Sequence, residues 1–148
     1  DYPNSQIDRS NRTYLDYLSY IKTRSNEITV QMDFLGSIKS DSKSILLLIL
    51  LQIHFIFLYI IVNKNSFKAV ETFNSIEKLI GYKKFCKIIP SILTDRDPSF
   101  SDIQRIEFSK ELGTQRIYLF FCDEFKSNQK ESVENTNKQI RKFFQKGK

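Results

Sequence analysis

Ser44-Ile45-Leu46-Leu47-Leu48-Ile49-Leu50-Leu51-Gln52-Ile53-His54-Phe55-Ile56-Phe57-Leu58-Tyr59-Ile60-Ile61-Val62 carries no formal charge. A run of this length can cross a bilayer as a helix. Two features oppose that reading. Gln52 and His54 fall at its centre, where polar groups cost most in a membrane. Its second half is rich in β-branched and aromatic residues, which suit strands. Divided at 52–54, the run gives two segments fit for a buried antiparallel pair. The polar flanks at 40–44 and 63–66 suit either reading, so both stay open on this stretch alone. His54, inside the apolar run, reads as buried structure rather than as part of a Ser-His-Asp site.

Working outward, residues 27–35 alternate Ile28, Val30, Met32 and Phe34 with Thr29, Gln31 and Asp33, the period of a strand. Asp33 stands out, because a carboxylate among apolar neighbours is costly unless paired or metal-bound. It also fits an edge or turn residue. Upstream, Tyr14, Leu15, Leu18 and Ile21 form a helical stripe over 12–23, either a helix against the domain or the tail of a linker. Residues 1–12 are polar and read as loose.

Downstream, 66–80 reads as a helix with Ser66 as its cap, Phe67, Val70, Phe73, Ile76, Leu79 and Ile80 as its stripe, and Gly81 as its stop. An amphipathic helix straight after the apolar run favours an α/β layer. Lys83, Lys84 and Lys87 make a basic connection. Residues 88–94 read as a strand with Pro90 near its start, leading to Thr94-Asp95-Arg96-Asp97. A carboxylate at the carboxyl end of a central strand lies where α/β sheets place chemistry, although loop acids also cap local turns. Residues 98–113 are a mixed loop with room for a short helix over 102–110. Residues 115–122 are a strand built on Ile117, Tyr118, Leu119, Phe120 and Phe121.

The last segment, 130–144, spaces Val133, Ile140, Phe143 and Phe144 as the stripe of an amphipathic helix. Glu134, Lys138 and Arg141 share one ridge beside it. The plain reading is a solvated face; the sharper one is a metal-binding carboxylate with a basic ridge toward nucleic acid.

Composition bounds these readings. With 148 residues and 41% hydrophobic content, one domain with a real core is expected. The 23 Lys and Arg against 17 Asp and Glu give +6, which favours polyanionic partners. Two cysteines, Cys86 and Cys122, and one histidine exclude a Cys/His zinc site. They suit a reduced, cytoplasmic protein. The start at Asp1 shows no signal-peptide pattern.

The element order places Asp33, Asp95 and Glu134 on three elements that can converge at one edge of a sheet. Three such acids need cations to stay ionised together. Mg²⁺ or Mn²⁺ suits their oxygen donors, and two ions can clamp the oxygens of a phosphoryl displacement.

Gln31-Met32-Asp33, Ile92-Leu93-Thr94-Asp95-Arg96 and Phe121-Cys122-Asp123, followed by Ser127-Asn128-Gln129-Lys130 and Ser132-Val133-Glu134-Asn135, resemble the catalytic core of DDE transposases of the IS-thirty insertion-sequence family. Ile140-Arg141-Lys142 and Lys146-Gly147 resemble that family's "IR…PKG" ending, with Gln145 in place of proline. The resemblance runs from about residue 12 to the end. It implies a ribonuclease-H-like α/β fold, a mixed sheet of five strands flanked by helices. It also implies an N-terminal linker or helix over 1–26 and an integrase-type catalytic core over 27–148. The apolar run becomes the second and third strands, not a membrane span.

The implied function is metal-dependent DNA cleavage and strand transfer. Asp33, Asp95 and Glu134 are the implied ligands of two Mg²⁺ or Mn²⁺ ions. Lys138, Arg141 and Lys142 are the expected phosphate contacts. The implied partners are transposon-end and target DNA, in a homo-oligomeric active complex. The family's DNA-recognising helix-turn-helix is not in this sequence. The chain departs from the pattern at Asp97-Pro98-Ser99-Phe100, where Gly-Ser-Glu-Phe is usual, at Glu131 for Gly and at Glu124 for Pro. Asp97 and Glu131 add negative charge near the expected metal site, so a truncated, inactive DNA-binding relic is the alternative.

Overall fold

The computed structural model describes residues 7–35, 42–124 and 129. Among them the chain forms α1 (Tyr14–Lys22), β1 (Val30–Leu35), β2 (Lys43–Leu50), β3 (Phe55–Val62), α2 (Ser66–Ile80), α3 (Tyr82–Ile88), β4 (Ser91–Thr94), α4 (Ile103–Glu107) and β5 (Tyr118–Phe121). A 3₁₀ turn over Pro98–Phe100 precedes α4. The architecture is α/β, a mixed sheet of order β3-β2-β1-β4-β5 flanked by helices. Both β1–β2 and β2–β3 are antiparallel, whereas β1–β4 and β4–β5 are parallel.

The apolar run divides at its centre, as the strand reading expects and the membrane reading does not. Residues 43–62 are the β2–β3 hairpin, and no helix among the described residues is long and apolar enough to cross a membrane. Gln52 has a specific task in the turn. Its Oε1 accepts the Thr29 amide at 2.6 Å, and its Nε2 donates to Thr29 Oγ1 at 2.9 Å. With the Leu51 amide donating to Thr29 O at 3.0 Å, the hairpin is tied to the entry of β1. His54, expected to be buried, is exposed and takes φ +51° to turn the chain. The pair is only half buried as well: β2 is covered, but β3 is an edge strand with one open face.

Alternation sorts the strand residues onto two faces. Val30, Met32, Phe34, Leu46, Leu48, Leu50, Ile92, Leu119 and Phe121 pack on one face against Val70, Phe73, Ile76, Phe85, Ile103 and Ile106 of the helices. On the other face, α1 packs Tyr17 against Leu93, Phe120 and Cys122. The 12–23 stripe is therefore a helix lying against the sheet. Its capping box is complete, Thr13 Oγ1 accepting the Asp16 amide while Asp16 accepts the Thr13 amide.

Other expectations shift by a residue or two. Asn65 caps α2, accepting the Lys68 amide at 2.8 Å, and Ser66 is its first residue. Gly81 at φ +88° ends α2 and lets α3 start at once. Lys83, Lys84 and Lys87 therefore lie on a helix, and β4 begins only at Ser91, after Pro90. Residues 7–12, read as loose, run beside β5: the Phe121 amide donates to Arg12 O at 2.8 Å. Glu107 completes that edge, accepting the Leu119 amide at 2.9 Å and pairing with Arg12 at 2.7 Å.

A buried polar knot holds α2 to α4. The fully buried Arg116 guanidinium donates to Ile106 O and Arg105 O, both at 2.8 Å, to Asn74 Oδ1 at 2.9 Å and to Glu77 Oε1 at 3.3 Å. Ser109 Oγ donates to the second Glu77 oxygen at 2.9 Å. Breaking such a pair from one side strands a buried charge, at a cost of about 3–5 kcal/mol. Urea unfolding of Arg116→Met is expected to show a loss of that size. Arg116→Met/Glu77→Met should recover part of it, because no unpaired carboxylate is left inside.

Candidate functional site

The parallel pairing of β1 with β4 sets Val30 opposite Ile92 and Gln31 opposite Leu93. Thr94 Oγ1 donates to Met32 O at 3.2 Å, stitching the two strands one step further on. The same register carried two residues beyond Gln31 and Leu93 sets Asp33 level with Asp95. Neighbouring strands run about 5 Å apart. Both acids are half-buried, at the carboxyl ends of adjacent parallel strands. By alternation Asp33 belongs to the face opposite Met32 and Phe34, the face that carries α1.

The surroundings of the two acids are built from local hydrogen bonds. Asp33 Oδ1 accepts the Phe34 amide at 2.8 Å, and Asp95 Oδ1 accepts the Asp97 amide at 3.2 Å. Asp97 caps the 3₁₀ turn by accepting the Ser99 amide at 2.8 Å. The Phe100 ring, at the end of that turn, stacks on Phe34 at 5.2 Å. This ties the loop after Asp95 to the strand that carries Asp33.

Charge near the site is balanced from neighbouring loops. Lys64, in the β3–α2 connection, pairs with Asp97 at 2.8 Å and lies 4.4 Å from the Phe34 ring centre. Arg96 donates to Cys122 O at 3.3 Å and reaches Glu124 at 3.5 Å. Arg9 sits over the Phe121 ring at 4.8 Å. Its guanidinium pKa is lowered first by burial and then by the charge of Arg96. Asp123 is engaged locally, its amide donating to Gln129 Oε1 at 2.7 Å and its carboxylate accepting Gln129 Nε2 at 3.0 Å. The acids at Asp97 and Glu124, which depart from the family pattern, are thus each matched by a cation. Nothing in the sequence marked Lys64 or Arg96 as their partners, because both pairings depend on the tertiary fold.

Of the predicted site, Asp33 lies in β1 and Asp95 directly follows β4, at the carboxyl ends of adjacent parallel strands. Glu134, Lys138, Arg141 and Lys142 lie outside the described residues. Among the described residues, no three His, Cys, Asp or Glu side chains cluster as a metal site would need. In donor type alone, two carboxylates suit a hard divalent cation.

No family model and no curated protein matches this chain. Solved structures do: 93 chains match. One of these belongs to the cryo-electron-microscopy structure of the simian T-cell lymphotropic virus intasome in complex with the PP2A regulatory subunit B56 gamma. It is 14% identical, with a TM-score of 0.60 over 81% of this chain and 40% of that chain. The likeness is one of fold. This chain spans well under half the length of that one.

Asp97 gives a direct test of the local electrostatics. Burial pushes its carboxyl pKa up. Hydrogen bonds from Lys64 and the Ser99 amide, with the charge of Lys64, outweigh burial and hold the value below the ordinary 3.8. The stabilisation is present above that ordinary value and fades as pH falls through the lowered one. Carbon-detected NMR titration of Asp97 is expected to give a midpoint below 3.8, and Lys64→Met should raise it. An unchanged midpoint in that variant would show that the ion pair does not form in solution.

Proposed function

We propose that this chain is the catalytic core of a DDE transposase of the IS-thirty type, with a ribonuclease-H-like fold. It would cut DNA at an element's ends and join them to target DNA. The observation that carries the reading is the parallel β1–β4 register, which sets Asp33 and Asp95 near the carboxyl ends of two adjacent strands. Likeness of fold to an intasome chain supports it, as does the order of the family-like segments along the sequence.

In this reading Asp33, Asp95 and Glu134 hold Mg²⁺ or Mn²⁺, two ions in the working site. When bound, such ions neutralise charge at the scissile phosphate and make water or a 3′-hydroxyl a better nucleophile. Asp33 within β1 and Asp95 just past β4 would then be held in advance of substrate, with little reorganisation needed. Glu134 closes the set from the far end of the chain. Lys138, Arg141 and Lys142 contact phosphates, which positions DNA without reading its sequence. The working assembly is a homo-oligomer in the cytoplasm.

A supercoiled-plasmid nicking assay with Mn²⁺ tests this reading. The parent chain should convert plasmid to nicked circles. Asp95→Asn and Glu134→Gln should each slow that conversion by about 100-fold or more, the scale on which losing a charge-stabilising group is felt. Binding of the same DNA should weaken steeply with salt in parent and variants alike. Equal nicking by parent and Asp95→Asn would refute catalysis by these acids. Salt-sensitive binding without nicking by any form would leave the inactive, DNA-binding relic.

A further inference from the structure

The two edges of the sheet are treated differently. On β5, a four-residue strand, Arg12 O and the Glu107 carboxylate take the outward amides of Phe121 and Leu119. On β3, an eight-residue strand, the described residues provide one comparable contact, Lys68 Nζ to Val62 O at the very end. The strand Phe55-Ile56-Phe57-Leu58-Tyr59-Ile60-Ile61-Val62 contains no charge, Pro or Gly, the usual devices that keep an edge from pairing.

Its open face is also apolar. Phe57, Tyr59 and Ile61 turn toward the core under α2. Ile56, Leu58, Ile60 and Val62 turn the other way and are 40, 50, 71 and 42% exposed. Phe55 at the strand's start is 49% exposed. An eight-residue strand offers its whole outward row of backbone groups to a second strand.

We propose that β3 is a self-association edge, and that a second copy of this chain adds its own β3 antiparallel to it, forming one continuous sheet across a two-fold axis. The same strand suits both sides of such an axis. Antiparallel pairing sets only uncharged side chains opposite one another, so nothing repels across the seam. It satisfies the outward backbone groups and joins the two Ile56–Leu58–Ile60–Val62 stripes into one band. The inference stands whether or not the chain cuts DNA.

Sedimentation velocity over a concentration series of the full chain is the test, together with amide hydrogen exchange across 55–62. A monomer–dimer equilibrium is expected, with the outward amides of β3 slowing as the dimer fills. Ile60→Lys, at the most exposed position of the stripe, should raise the dimer dissociation constant about tenfold or more. Should that variant fail to fold, the exchange series on the parent chain decides alone. Three results would overturn the proposal. The parent could remain monomeric throughout. It could form a dimer with protection away from β3 that survives Ile60→Lys. Or the β3 amides could be equally protected at every concentration, as when another segment of the same chain covers the edge.

Discussion

Strand β1 pairs antiparallel with β2 on one side and parallel with β4 on the other, and the register of the parallel pairing fixes what the sheet presents at one end. A strand in that position is buried on both faces, and its two polar residues, Gln31 and Asp33, sit toward its ends. Asp33 occupies such a place, two residues from the end of β1, and Asp95 is the first residue past β4. A slip of one residue would send Asp33 to the opposite face, among Leu46, Leu48 and the α2 side chains, and turn Met32 and Phe34 out of the core. That would bury an acid in the core, and the cost of doing so enforces the register.

The rest of the molecule reads as support for that arrangement. Gln52 and Leu51 bind Thr29 and so anchor β1 at its start. Lys64, Asp97, Phe34 and Phe100 bind the two loops beyond its finish. Arg116 and Glu77 lock α2 to α4 beneath the sheet. A buried ion pair adds little net stability over a well-packed apolar substitute. Its partners here, two backbone carbonyls, Asn74 and Ser109, are instead met by only one arrangement of the helices. On the α1 face, Tyr17 packs with its ring 5.6 Å from Phe120, and burial pushes its phenol pKa up to about 12.

Much of this was legible in the sequence because it rests on local periodicity. Strict alternation marked β1 and helical spacing marked α1 and α2, whereas the apolar run left hairpin and membrane span both open until the family resemblance favoured two strands. The bounds of α2 were read to the residue. What periodicity does not carry was missed. Asn65 rather than Ser66 caps α2, a choice between two adjacent capping residues set by backbone geometry. His54 turned out exposed because the hairpin needed a residue at positive φ, which no hydropathy window registers. The segment before Thr13 looked loose because its anchor, Glu107, is 95 residues away from Arg12. At the candidate site, Asp33 and Asp95 could be named from the sequence. Their level placement required the β1–β4 register, and the balancing of Asp97 by Lys64 required tertiary contact.

In the proposed function, Asp33 and Asp95 together bind a divalent cation. Paramagnetic broadening of the backbone amide spectrum by substoichiometric Mn²⁺ tests it most directly, because the effect falls off steeply with distance from the ion. The signals of Asp33, Phe34, Asp95 and Arg96 should disappear first, and Asp33→Asn should abolish that selectivity. Broadening spread evenly over the surface acids, or centred on Glu71 and Asp102 near α4, would contradict the claim.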